Sequence, residues 1–387
     1  MAERTLKIML SGMLARVPRQ GGAAWVVLQY LLGLRQLGHD VHFIETIPAD
    51  TIRPAGAPLR NSDNAAYFRQ VAKRFELLGA VTLVKHSTTE TVGESYHALR
   101  RLAADCDVLI NLSGLLQDRE LTESIPLRIY VDLDPGFTQL WHSVEGLDLG
   151  FEGHNRFVTI GKTLGEPGCR VPTGDIDWVK TLQPIVIQQW PVARQAPRHA
   201  FTTIANWRGY GSVEFGGRFY GQKAHSLRPF FKLPERTDEN LALALAIHPE
   251  ERSDLALLKH HGWQLLDPDE VAGTPDAFQT FVQDSRAEFG IAKSGYVTAN
   301  CGWFSDRSIC YLASGRPVLA QETGFSQFLP SGEGLLAFET EDDVLKGIEQ
   351  IDRDYLRHCR AARRIAEEYF DAARVLDRLL RRTGATP

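Results

Sequence analysis

The chain has 387 residues, 43% of them hydrophobic and 24% charged, with a formal net charge of −5. That length exceeds one ordinary core and makes two domains the default for what reads as a soluble globular protein. The acidic balance argues against a general nucleic-acid binder. With no signal-like apolar region and no apolar run of about 18 residues, the expectation is a cytoplasmic protein with no integral membrane contact.

Residues 6–10 are an apolar run ending at Ser11-Gly12. Gly21-Gly22 opens an amphipathic helix over 23–37, stopped by Gly38, and 41–44 is the next strand. A glycine pair at a helix start suits a phosphate, but it is not the G-x-G-x-x-G fingerprint, and a tight turn with close packing explains it equally. A loop over 48–64 precedes a helix over 65–78, a strand over 81–84 and a helix over 92–104. Strands at 107–111 and 127–131 end at 112–114 and at Asp132-Leu133-Asp134-Pro135-Gly136. Strands alternating with helices predict a parallel sheet covered on both faces, with functional groups at the carboxyl ends of its strands. Residues 137–184 are less regular, with a strand at 156–160, and the polar stretch 193–200 marks a domain boundary.

A second α/β unit begins at 201–207 and continues through a glycine-rich loop, 209–221, that holds Arg208 at its edge, Arg218 and Tyr220. Strands at 242–247 and 263–265 alternate with helices at 249–261 and 274–285. The densest stretch follows. Residues 288–293 are a short apolar strand, 294–302 a small-residue loop, 305–313 a helix with Ser305 placed to cap it, and 317–320 a strand before Gln321-Glu322-Thr323-Gly324. Strand ends and a helix N-terminus meeting in one crevice attract anions, so this reads as a nucleotide or phosphate pocket. A last strand spans 335–338, and from 341 to 382 the chain is helical. The basic run 357–364 is balanced by Glu367, Glu368 and Asp371, which favours a solvated face over a membrane surface. Cys106, Cys169, Cys301, Cys310 and Cys359 are scattered, odd in number and without metal spacing, so they read as reduced; Cys301 is the one suspected of lining a site.

Two successive doubly wound domains with a helical tail resemble the GT-B glycosyltransferases. The segment LGHDVHF at 37–43 resembles the opening of many such enzymes. RSICYLASGRPVL at 307–319 resembles the donor-site helix and strand of the group 1, glycogen-synthase-like glycosyltransferases, which usually read E-A-x-A-x-G-x-P-V. SDRS-x-x-YLASGRPV and DPGFTQ also resemble elements of a bacterial GT-B subgroup. The resemblance implies an α/β fold of two Rossmann-like domains: an acceptor-side domain at 1–192, a donor-side domain at 201–355, and a helical tail at 356–387 packing back on the first. It implies a metal-independent glycosyltransferase that uses no separate cofactor. The co-substrate would be a nucleoside-diphosphate sugar, UDP- or TDP-linked, and the acceptor a small molecule or glycan. One departure stands out: Cys310 replaces the glutamate that usually binds ribose, and a thiol cannot accept two hydroxyl bonds as a carboxylate does, leaving Asp306 or Glu322 for that work.

Glycosyl transfer must stabilise a departing diphosphate and, with inversion, needs a base. Arg307 and Lys293 are the candidate cations, Arg307 being otherwise a surface partner of Asp306 or Glu322. Backbone amides near Ser305 and near Thr323-Gly324 would add to them, with Gly12, Gly21 and Gly22 approaching from the other domain. Glu322 holds sugar hydroxyls or caps a turn. Asp134 is the preferred base, with His154 and His142 as alternatives, although Asp before Pro-Gly is also a normal turn former. Asp132-x-Asp134 imitates a metal-binding D-x-D, which the two-domain layout argues against. Tyr67, Phe137, Trp141, Phe151 and Trp178 suit an apolar acceptor or a core. Rival readings are a sugar-nucleotide epimerase of the same fold and a two-domain ligand-binding protein.

Overall fold

The computed structural model describes residues 5–386. Strands covered on both faces are largely apolar: Ile8, Met9 and Leu10 are at most 1% exposed, and Val108–Leu112 is buried at every position, its one polar side chain, Asn111, bonding to the Leu116 backbone. The N-terminal half carries β1 (Lys7–Ser11), β2 (Asp40–Ile47), β3 (Val81–Lys85), β4 (Thr91–Val92), β5 (Val108–Leu112), β6 (Leu127–Asp132), β7 (Arg156–Thr159) and β8 (Trp178–Lys180). They form one sheet in the order β4-β3-β2-β1-β5-β6-β7-β8, parallel except for the β3–β4 edge.

The C-terminal half begins with β9 (Arg198–Asn206) and a hairpin of β10 (Val213–Phe215) and β11 (Arg218–Tyr220). It continues with β12 (Asn240–Ala246), β13 (Gln264–Leu266), β14 (Ser285–Gly290), β15 (Val318–Gln321) and β16 (Leu335–Phe338), in an all-parallel sheet ordered β13-β12-β9-β14-β15-β16. Strand order reverses between β1 and β5 and between β9 and β14. Such switch points open crevices at the carboxyl ends of strands, so the topology alone makes one in each sheet.

Glycine sets how closely the halves approach. A Cβ on Gly21, the first residue of helix Gly21–Gln36, would lie 2.2 Å from the Thr274 carbonyl oxygen and 2.6 Å from that of Ala272. Trp25 donates its Nε1–H to the Pro275 carbonyl at 2.9 Å, on the same seam. Gly21→Ala should therefore push backbone against backbone and cost about 1–3 kcal/mol in urea unfolding, against a few tenths for an alanine that fits.

The C-terminal chain forms Glu341–Arg353, Tyr355–Ile365, a wide turn over Ala366–Phe370 and Ala372–Thr383. The first break comes at Asp354, whose side chain caps the next helix; Asp371 does the same for the last. That last helix lies on Gly21–Gln36, where a Cβ at Gly33 would meet Leu376 at 2.7 Å and Ala372 at 2.9 Å. Among the described residues no helix is long and apolar enough to cross a membrane.

Two local expectations need correction. The helix expected from residue 92 starts at Tyr96, because Ser95 accepts from the Ala98 amide at 3.2 Å and Thr91–Val92 is drawn into an edge strand against β3. The small-residue loop at 294–302 is instead the helix Ser294–Ala299, ended by left-handed Asn300. Tertiary packing decides it: Gly295 sits under the Phe137 ring, where a Cβ would come within 2.3 Å.

Candidate functional site

A cavity of about 410 Å³ lies between the halves, where the ends of β6, β9 and β12 meet the start of helix Gly21–Gln36. Met13, Gly21, Gly22, Leu133 and Asp134 line it from the N-terminal half. Residues 204–206, Lys223, Lys293, Tyr296, Trp303, Ser305, Asp306 and Arg307 line it from the other.

Four cations line this cleft: Arg19, which pairs with Asp269 at 3.4 Å, and three others, each held differently. Arg307 is 9% exposed; its Nε donates to Glu288 Oε1 at 2.5 Å and its Nη1 to the Ile204 carbonyl at 2.7 Å. Burial works against the Arg307 charge, but the Glu288 carboxylate outweighs it and moves the pKa up. So Arg307 pairs neither with Asp306 nor with Glu322 on a surface. Its partner is a carboxylate from the middle of β14, 0% exposed, whose Oε2 has no hydrogen-bond partner among the described residues. Lys223 is 7% exposed and donates to the Ile291 carbonyl at 3.0 Å. Burial, then repulsion from Arg307 and Lys293, pushes its pKa well down. Lys293 lies 3.1 Å from Asp134 Oδ1, and its pKa is lowered by burial against the pull of that carboxylate.

Asp134 is a third exposed and collects donors on one oxygen. Oδ1 accepts from Lys293, from Tyr210 Oη at 2.6 Å and from Tyr296 Oη. Lys293 also reaches both phenols and lies 3.8 Å from the Tyr210 ring centroid and 5.1 Å from that of Tyr296. Its neighbour Asp132 is 0% exposed and serves the fold: it accepts from Thr138, Thr159, Gln139 and the Asp134 amide at 2.7–3.0 Å. The two carboxylates thus face different surroundings and do not form a chelating pair. Among the described residues no group of three His, Cys, Asp or Glu side chains is placed to hold a metal ion.

Ser305 occupies the cap position of helix Asp306–Ala313, but its side chain makes no capping bond. Asp306 is the first residue of that helix, and its pKa is raised overall. Burial pushes its carboxyl up, while Arg307 and the amides of Asp306 and Arg307 pull it down. Of the two carboxylates that sequence offered for ribose, Asp306 lines the cleft. Glu322 folds over its own turn, accepting from the amides of Thr323 at 3.0 Å and Gly324 at 2.6 Å. Thr323 bonds to the Trp303 carbonyl, and Gly324, at φ +94°, packs against Asn300 and Gly302.

Other candidates sit apart from the cleft lining. His154 uses both ring nitrogens, Nδ1 with the Gly150 carbonyl at 2.7 Å and Nε2 with Asn111 at 3.0 Å, and burial lowers its pKa. His142 lies edge-on to Phe151 at 4.7 Å. Gly12 is packed between Leu112 and Val27, and Cys301 is buried against the Pro135 carbonyl. Tyr67, Phe137 and Trp178 are each under 9% exposed, which makes them core. Sequence reasoning missed Lys223, Glu288, Tyr210 and Tyr296. Lys223 had a signal, a lysine opening a helix just after Gly221. A lone acid inside an apolar strand was the signal for Glu288.

No family profile and no curated protein sequence matches the chain. Solved structures do match it along nearly its whole length. An alpha-glucosyltransferase in complex with UDP-glucose and DNA containing an abasic site superposes with a TM-score of 0.57 at 11% identity, covering 97% of this chain and 98% of that one. Anabaena HepE in complex with UDP-glucose gives 0.59 at 10% identity, covering 98% and 99%. A glycosyltransferase from Rickettsia africae gives 0.55 at 11% identity, covering 98% of each chain. The fold is GT-B-like. In a GT-B-like frame the cleft between the sheets is the place where side chains of both halves meet, and Asp134 with Lys293 is such a meeting.

Proposed function

We propose that this chain transfers a sugar from a nucleoside-diphosphate sugar to an acceptor hydroxyl. The observation that carries the reading is the convergence of Lys223, Lys293 and Arg307 with the start of helix Asp306–Ala313 on one cleft wall, beside Asp134. A diphosphate is the ligand such a wall suits: fixed cations and helix amides stabilise charge that grows as the bond breaks. The bond between the anomeric carbon and the β-phosphate oxygen breaks, and its electron pair stays on the diphosphate. The acceptor oxygen bonds to that carbon and, with inversion, its proton passes to Asp134. Lys and Arg supply the countercharge, so the reaction is metal-independent. Asp306 accepts from the ribose hydroxyls in place of the glutamate that Cys310 replaces. Solved structures of similar fold that hold UDP or UDP-glucose make UDP the first probe.

Calorimetry with UDP tests this, and Lys223 gives it a sign. Burial holds the Lys223 pKa well down in the free protein. A diphosphate favours the charged amine, so binding takes up a proton wherever free Lys223 is deprotonated, and affinity falls as pH rises through that range. The expected result is UDP binding that weakens toward alkaline pH, with an enthalpy that depends on the buffer. At about 100 times Kd, UDP should also add about 2.7 kcal/mol of stability. Affinity flat with pH and no proton uptake would remove Lys223 from the site. Folded protein that binds none of UDP, TDP, GDP or ADP would overturn the reading.

A further inference from the structure

We infer that Tyr210 is a positioning residue. From the glycine-rich loop of the C-terminal half it reaches across to Asp134, holds one carboxylate oxygen and leaves the other facing the acceptor hydroxyl. The inference rests on the reading of Asp134 as the base.

The loop is built to present this side chain. Tyr210 stands between Gly209 and Gly211, and the Gln222 side chain clamps both flanks: its Oε1 accepts from the Gly209 amide at 3.2 Å and its Nε2 donates to the Gly211 carbonyl at 3.2 Å. The ring then crosses to the N-terminal half, edge-on to Phe137 at 4.9 Å and Trp141 at 4.7 Å. Its hydroxyl donates to Asp134 Oδ1 at 2.6 Å. Burial and the adjacent Asp134 push the phenol pKa well up, so it remains a donor.

Tyr210, Tyr296 and Lys293 all act on Oδ1, and among the described residues nothing donates to Oδ2. A carboxylate gripped at one oxygen cannot swing, and its second oxygen is free to take a proton. Tyr296 is fixed by its own helix and by stacking on Trp303 at 4.1 Å. Tyr210 is the partner delivered by a loop, between β9 and β10, rather than by a helix. Because Asp134 and Tyr210 come from different halves, the base is oriented only when the halves are together, which suits a site that must exclude water before it reacts.

The test is Tyr210→Phe in the full chain, with Asp134→Asn as reference. UDP-glucose is the donor probe and UDP release the readout. Loss of a hydrogen bond to a charged group predicts a fall in kcat of about tenfold or more. The KM for UDP-glucose and the Kd for UDP should stay within about twofold of wild type, a split that a merely structural role would not give. Turnover equal to wild type with Asp134→Asn inactive, or losses in KM and Kd as large as in kcat, overturns the inference. Where wild type binds UDP but releases none from UDP-glucose, a crystal structure of Tyr210→Phe decides: a rotated Asp134 side chain supports the inference, and an unchanged one refutes it. Failure of the transferase reading itself shows separately, as wild type that does not bind UDP.

Discussion

With Asp134 as the proposed base, Asp134→Asn should lower turnover by about 10³-fold, the middle of the range for general-base catalysis, and leave UDP affinity within a few-fold of wild type. The amide has the shape of the carboxylate, and its oxygen still accepts from Tyr210 and Tyr296, so the interface persists. What it loses is the capacity to take the acceptor proton and the countercharge 3.1 Å from Lys293. The first loss appears in kcat. The second leaves Lys293 free to meet the diphosphate but also removes the carboxylate that holds its pKa up, and these opposing effects keep UDP affinity within a few-fold of wild type. UDP release and UDP calorimetry on the same preparation check both halves. Turnover close to wild type would remove Asp134 as base and favour a retaining course, which needs no base of this kind.

The layout was legible because parallel strands are buried on both faces. Largely apolar runs such as 107–111, alternating with amphipathic helices, leave little choice of fold class, and Gly38 marks a helix end by local chemistry, whereas the pattern misses the cap at Ser95 and starts that helix at 92. The helix Ser294–Ala299 was not legible, since Gly295 and Ala299 argue for a loop until Phe137 is known to lie above them. Within the site, residues at strand and helix ends could be named: Lys293, Asp306, Arg307 and Asp134 all line the cleft. What sequence could not give was partnership. Glu288 lies 19 positions from Arg307, and Tyr210 lies 76 from Asp134. Neither separation has a period, so only the fold pairs them. For Glu322 the sequence offered sugar hydroxyls or a turn cap, and in the structure its Oε1 accepts from its own turn.

The Arg307–Glu288 pair carries the other large effect. Arg307→Ala should destabilise the protein by about 3–5 kcal/mol, because it strands a carboxylate that is 0% exposed. Any fall in UDP affinity in that variant would mix a lost phosphate contact with a damaged β14. The double variant Glu288→Met/Arg307→Met separates the two. It replaces the pair with apolar side chains of similar volume and removes the Glu288 oxygen that has no partner, so its stability should return to within about 1 kcal/mol of wild type. Urea unfolding measures that recovery, and calorimetry then reads UDP on a sound fold. With Arg307 on the diphosphate, the double variant is stable and still binds UDP about tenfold or more weakly, as expected for a lost charge-assisted bond. Full affinity in the stable double variant would make Arg307 a structural cation, confined to Glu288 and the Ile204 carbonyl, and leave the diphosphate to Lys223, Lys293 and the helix amides.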